Sequence, residues 1–232
     1  MRLVGQALLA VLALIAAPQL AAAQPQQPLI PEWPQTRLAE RDPGTRGLYI
    51  IAVCIEHERR DRAIALLATP PGSFAQAPQL ERTVPSSTDC PIGEWVRIPL
   101  ADLMRGAIAE AIYNGDRTRP RGDVALPLTE TFETWRARET ARGARFATGR
   151  DVGRWTAHCA VHRAPRLTHE LLSQIPGSQR ERAALNALRQ TFTGCLPADE
   201  RLTMPRLMMR TLIAEELYHA VGANRAAFVS GR

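Results

Sequence analysis

Residues 105–113 read RGAIAEAIY and residues 210–218 read RTLIAEELY, the same framework 105 positions apart. Arg105, Ile108, Ala109, Glu110 and Tyr113 fall on Arg210, Ile213, Ala214, Glu215 and Tyr218. Leu100, Leu103, Met104, Ala107, Ile108, Ala111 and Ile112 recur at the three- and four-residue steps of one helix face. Met208, Met209, Leu212, Ile213 and Leu217 repeat that stripe. Both stretches predict a helix with a continuous apolar face. Pro99 and Pro205 suit the first turn, where a missing N–H is harmless.

The correspondence extends upstream at the same offset without a gap. Cys54 falls on Cys159, His57 on His162, Leu66-Leu67 on Leu171-Leu172, and Pro71-Gly72-Ser73 on Pro176-Gly177-Ser178. Cys90 falls on Cys195. Segments 54–113 and 159–218 share 16 identities in 60 positions, which predicts a tandem duplication of one three- to four-helix unit. The fold class expected is all-α. Helices are expected near 46–58, 61–69, 73–83 and 99–113, then 153–163, 165–174, 178–191 and 204–220. Pro165 interrupts the second version of the first segment. Ser73-x-x-Gln76 and Ser178-x-x-Glu181 fit a capping box, and the preceding Pro-Gly ends a helix. No alternating Val/Ile/Thr run supports a sheet.

The organisation expected is a signal peptide over 1–23, a Pro-rich arm over 24–46, unit 1 over 47–113, a linker over 114–150, unit 2 over 151–221 and a tail over 222–232. Arg2, the eleven apolar residues Ala7–Ala17, Pro18 and the small residues Ala21-Ala22-Ala23 make a secretory leader. Eleven residues fall short of a span of roughly 30 Å, so no stable membrane span is expected after cleavage. An uncleaved N-terminal anchor is the alternative. Phe132, Trp135 and Phe146 in the linker could form a short helix over a core edge.

Four cysteines in an exported chain, spaced 36 and 36 apart, argue for one disulfide per unit: Cys54–Cys90 and Cys159–Cys195. The rival reading is a metal- or thiol-dependent site. Cys54-x-x-His57 and Cys159-x-x-His162 put two soft ligands on one helix face, and Cys90 and Cys195 complete a Cys2His set in each unit. No fourth ligand repeats. Glu216-x-x-His219 matches half of a di-iron bundle motif, but the corresponding positions are Ala111 and Asn114. His57, His162, Glu216 and His219 are therefore the metal-ligand candidates, and no cofactor is assigned. Cys-x-x-Cys, His-Glu-x-x-His and Gly-x-Ser-x-Gly are absent.

The net charge is +6, and all 29 basic residues are arginine, interleaved with 23 acids. Without a basic stripe carrying aromatic platforms, a nucleic-acid partner is not expected. Glu110, Glu215, Arg105 and Arg210 could do acid–base work, but residues kept at equivalent helix positions more often hold packing or surface ion pairs. Tyr113 and Tyr218 are expected to seal the end of their own units. The function expected is that of an exported, periplasmic or secreted bacterial helical protein, a non-catalytic structural or interaction module with an envelope protein partner. The alternatives are the metal- or thiol-dependent enzyme and, more weakly, an anionic-ligand binder.

Overall fold

The structure is a computed structural model that describes residues 43–84, 101–115, 128–146 and 149–230, with no side-chain account of 43, 44, 46 and 223–230. The signal segment 1–23, the arm residues 24–42 and Cys90 lie outside the described residues. The described residues form ten helices and no strand: α1 Pro43–Glu58, α2 Arg60–Ala68, α3 Gln76–Thr83, α4 Ala101–Gly115, α5 Phe132–Ala141, α6 Arg150–Arg163, α7 Pro165–Ser173, α8 Gln179–Ala187, α9 Arg189–Cys195 and α10 Arg206–Ser230. Among the described residues, no helix is long and apolar enough to cross a membrane.

Helices α4 and α10 make the most extensive pairing in the molecule, and each also packs on its own first helix, α1 or α6. The first half buries Leu48, Ile51, Ile55, Leu66, Leu67 and Ile108 around α4. The second buries Val161, Leu171, Leu185, Phe192, Met209 and Ile213 around α10. At the crossing, Gly106 faces Thr211. A Cβ on Gly106 would lie 2.6 Å from the Thr211 carbonyl carbon, so only glycine lets the two backbones approach this closely. Positions 106 and 211 are themselves 105 apart, so the helices cross at matching points.

Local punctuation follows the sequence with some differences. Gly72 and Gly177 both hold positive φ, 67° and 82°, but the Pro-Gly pairs do not end the helices as expected. Helices α2 and α7 stop at Ala68 and Ser173, and each glycine sits in a following turn, closed by the Ser73 N–H on the Pro70 carbonyl at 3.2 Å and the Ser178 N–H on the Ile175 carbonyl at 3.1 Å. Ser178 caps α8, its hydroxyl accepting the Glu181 N–H at 3.1 Å. The Glu181 carboxylate reaches one residue further back than a capping box requires and accepts the Gly177 N–H at 2.7 Å. Ser73 does not cap. A turn intervenes, the Gln76 N–H bonds the Ser73 backbone carbonyl at 3.1 Å, and α3 starts at Gln76. Pro165 opens α7 directly after α6 ends, as a proline at the first helical position permits.

The expected helix over 178–191 is two, α8 and α9, so Cys195 ends a helix rather than sitting in a loop. Helix α10 runs to Ser230, through residues expected as a tail. Gly222 meets no obstacle, and one exposed glycine costs a helix only about 1 kcal/mol. The expected linker contains α5, capped by the Thr131 hydroxyl on the Thr134 N–H. Its Trp135, only 2% exposed, packs with Trp155, Cys159 and Cys195 in a third cluster.

Cys159 and Cys195 are bonded, with Cα atoms 5.7 Å apart. Cys54 is disulfide-bonded as well. Closing a loop of 36 residues stabilises by roughly 3–4 kcal/mol in the chain-entropy model. The double variant Cys159→Ser/Cys195→Ser is accordingly expected to unfold at lower urea concentration with a loss of about 2–4 kcal/mol. Equal midpoints for variant and parent in matched urea titrations would contradict this.

Candidate functional site: a buried ion-pair seam

The repeated arginines and glutamates do not lie on the surface. Arg105 and Arg210 are fully buried, and Glu110 and Glu215 are 3% and 1% exposed. Nor do they pair within their own halves. Arg105 Nε donates to Glu215 Oε1 at 2.6 Å, and Arg210 Nη2 donates to Glu110 Oε1 at 2.6 Å with Nε on Oε2 at 3.0 Å. Each arginine crosses to the other helix of the central pair.

The rest of each guanidinium serves its own half. Arg105 donates to the carbonyls of Leu66, Leu67 and Thr69 at 2.8, 2.8 and 2.7 Å, and to the Thr69 hydroxyl at 3.0 Å. Those carbonyls close α2, where intrahelical partners run out and the helix end carries partial negative charge. Arg210 does the same at the end of α7, donating to Leu171, Leu172 and Gln174 carbonyls at 3.1, 3.4 and 2.8 Å. The acceptors 66, 67 and 69 match 171, 172 and 174 at the 105-residue offset. All five N–H groups of Arg105 are thus satisfied without water.

Two substitutions between matching positions make the seam asymmetric. Tyr49 donates its hydroxyl to Glu110 Oε2 at 2.8 Å. At the position 105 residues later stands Arg154, whose Nη1 and Nη2 both reach Glu215 Oε2 at 3.2 Å. Burial works against Glu215's charge, but Arg105, Arg154 and His219 together outweigh it and hold its carboxyl well below the usual carboxylate range. Burial also pushes Glu110 up. There the single guanidinium of Arg210, with Tyr49, does not offset it, and the net direction is upward. Burial, followed by the Glu110 charge, pushes the Tyr49 phenol well above its ordinary value. The second exchange is Gln76 for Glu181. Glu181 adds an acceptor for Arg210 at 3.2 Å, whereas Gln76 donates to Asp102 at 3.3 Å. Asp102 pairs in turn with Arg150 and, at 3.7 Å, with Arg154.

The tyrosines also cross over. Tyr113 of α4 is buried in the second half's core, its hydroxyl 2.9 Å from His169 Nδ1. Tyr218 of α10 packs against the first half's core. Each seals the opposite half rather than its own.

A side branch gathers some of the metal-ligand candidates. His158, 9% exposed, has Nδ1 3.1 Å from Glu216 Oε2 and Nε2 3.0 Å from Glu130 Oε1. His162 packs beside it with ring centroids 4.5 Å apart and ring planes tilted by 48°. His219 approaches Glu215 at 3.8 Å instead, and His57 stands exposed in the other half beside Glu58. Among the described residues, no three His, Cys, Asp or Glu side chains are arranged to hold a metal ion. Cys159 sulfur is committed to Cys195, so it offers no thiolate to pair with His162. An open cleft at the α1–α2 corner is lined by His57 to Arg62. Arg60 there is paired with Glu56, and Arg62 donates to the Arg82 carbonyl.

No family model, curated protein or solved structure matches this chain. Two carboxylates that could serve as acid and base are buried beneath packed helices, with guanidinium or phenol donors on every oxygen. General acid–base work needs a proton path to a reacting group within hydrogen-bond reach. What the arrangement does chemically is neutralise helix ends and lock α4 to α10.

Several of these residues escaped sequence reasoning. Tyr49 and Arg154 stand at matching positions but differ in type, so counting identities passes over them. Asp102 and Glu130 carry no local signal, because their partners come from distant helices.

Burial pulls the His158 pKa down, but the hydrogen bond and charge of Glu216, with Glu130, push it further up, against an opposing Arg138. The folded imidazolium is therefore favoured over the unfolded one. Its contribution is complete below about pH 6.5, the ordinary value, and fades as pH rises through the higher folded value. Glu216, held below its ordinary value by His158 despite burial, stays ionised throughout that window. His158→Ala is expected to cost about 1–3 kcal/mol at pH 6 and clearly less at pH 9. Thermal melts of parent and variant across that range test it, and a pH-independent gap would contradict it.

Proposed function

We propose that this chain is an exported, non-catalytic helical protein that binds a partner in the bacterial envelope, built from two copies of one unit that exchange ion pairs across α4 and α10. The observation that carries the reading is the reciprocal pair Arg105–Glu215 and Arg210–Glu110. The residues best suited to acid–base chemistry are consumed in holding the fold, and each arginine closes a matching set of helix-end carbonyls. The matching acceptors support the duplication. The Cys159–Cys195 bond and the leader-like first 23 residues support an oxidising compartment. By the same symmetry, Cys54 pairs with Cys90.

The test is expression of the full chain in a bacterium, followed by fractionation, thiol titration and in-cell crosslinking. The expected product lies in the envelope or periplasmic fraction, begins at Gln24, has no free thiol and crosslinks reproducibly to one envelope protein. A reduced chain retained in the cytosol overturns the export reading. Metal- or thiol-dependent turnover of a small substrate by the purified chain overturns the non-catalytic one.

A further inference from the structure

Helix α5 lies on the outward face of α6 as a strap. Trp135 of α5 lies 5.9 Å from Trp155 and 6.2 Å from His158, centroid to centroid, and Phe132 lies 6.0 Å from Trp155. In the same cluster, Cys159 and Cys195 are 1% and 4% exposed. Beyond α5, the Arg145 N–H donates to the Pro71 carbonyl at 2.9 Å, and the Arg145 guanidinium sits 3.7 Å over the Phe74 ring. One end of the strap is thus moored on a turn of the first half. Gly143, at φ 93°, lies between that mooring and α5.

At the other end the polar hold is His158, set between two carboxylates from different elements. Its Nδ1 is hydrogen-bonded to Glu216 of α10 at 3.1 Å, whereas its Nε2 faces Glu130, just before α5, at 3.0 Å without hydrogen-bond alignment. Arg138 of α5 pairs with Glu130 at 3.1 Å, and His162 packs beside His158 on α6. Glu215 and His219 act on Glu216 from α10, and α9 brings the bonded Cys195 to the cluster. An imidazolium offers one N–H to each carboxylate, but a neutral imidazole has one N–H and one lone pair. The remaining N–H stays with Glu216, which is aligned for it. The lone pair then faces the Glu130 charge, and that contact turns from attractive to repulsive. Arg138 travels with Glu130, so lifting the strap strands neither charge. The Arg136–Asp151 pair at 3.0 Å is a weak substitute, since Arg136 is 57% exposed.

We propose that His158 is the proton-operated catch of this strap: the imidazolium holds α5 on α6, and loss of its proton raises the frequency with which α5 swings out about Gly143, baring Trp155 and the Cys159–Cys195 bond. The buried aromatic rings keep the strap mainly closed at either protonation state, so the catch sets the size of a minor open population. The upward direction of the His158 pKa has the matching sign, with the catch firm in acid and slackening as pH rises through the folded value. The inference rests on neither export nor an envelope partner.

Hydrogen exchange of the α5 amides in the oxidised chain, comparing Glu130→Gln with the parent at matched pH, tests the catch. The variant is expected to exchange about tenfold faster near pH 6 and no faster than the parent near pH 9, where the parent's catch is already slack. The α4 amides keep the parent rate at both pH values. Glu139→Gln removes an α5 carboxylate that faces Arg138 and Arg142 rather than His158, and its ratio to the parent is expected to be the same at both. A pH-independent ratio for Glu130→Gln, or an effect on α4 as large as that on α5, overturns the proposal. Reduction by tris(carboxyethyl)phosphine reads access to the disulfide. The phosphine attacks one sulfur, the S–S bond breaks, and water completes the conversion to two thiols and the phosphine oxide. Cys159–Cys195 is expected to be reduced about tenfold faster in Glu130→Gln than in the parent near pH 6, and no faster near pH 9. Equal reduction rates near pH 6 overturn the strap's control of the bond independently of the exchange result.

Discussion

Replacing Glu215 with alanine is expected to cost about 3–5 kcal/mol, the usual penalty for breaking a buried ion pair from one side. In a chain of this size that corresponds to a fall in melting temperature of about 6–20 °C. Two guanidinium groups lose their partner at once. Arg105, with a side chain 1% exposed, keeps its carbonyl acceptors but loses its compensating charge. Arg154, 3% exposed, keeps Asp102 at 3.7 Å. Glu110→Ala is expected to cost less, because Arg210 retains Glu181 at 3.2 Å. The ranking is as informative as the size. Thermal melts showing Glu110→Ala to be the more damaging, or both to be neutral, would refute the seam as the main lock between halves. The two carboxylates also differ in pH response. Glu215's depressed folded value means its contribution is present above the ordinary carboxylate range and lost as pH falls toward that folded value. Glu110's raised value has the opposite sign, its contribution declining as pH rises through that range. Removing Glu215 should therefore flatten the acid limb of the stability curve.

Gly106→Ala is expected to destabilise by about 1–3 kcal/mol or more, although propensity alone favours alanine over glycine inside a helix by about 1 kcal/mol. The reversed sign is the diagnostic feature. The added methyl would press on the Thr211 backbone, which cannot rotate away as a side chain can. Helices α4 and α10 would have to separate, lengthening the Arg105–Glu215 and Arg210–Glu110 bonds together. Gly222→Ala, on the same helix as Thr211 but with nothing near its new Cβ, is expected to be neutral or stabilising. Urea titrations of both variants decide the matter. A stabilised Gly106→Ala would mean that the crossing is looser than described.

Read alone, the chain disclosed its helices well. The apolar stripes on 101–113 and 206–218 and the break at Pro165 are local signals, set by backbone sterics and helical period. The short helix expected around Phe132 and Trp135 is α5, but Phe146 lies beyond its end at Ala141. Boundaries were less legible where the signal depends on surroundings. Ser73 and Ser178 look alike in sequence, but only Ser178 stands directly before its helix. Residues 222–230 carry no stop signal strong enough to end α10.

The 105-residue self-similarity places Arg105 and Glu110 at the same spacing as Arg210 and Glu215, and suggests packing or surface ion pairs for all four. It could not say who pairs with whom. An arginine meeting the glutamate of its own unit and one meeting the glutamate of the other leave the same pattern of identities. Only the close crossing at Gly106 and Thr211 decided this, by bringing each arginine level with the opposite carboxylate while its remaining donors reach the ends of α2 and α7. That distance is set by packing between segments a hundred residues apart in the chain, which no local periodicity records.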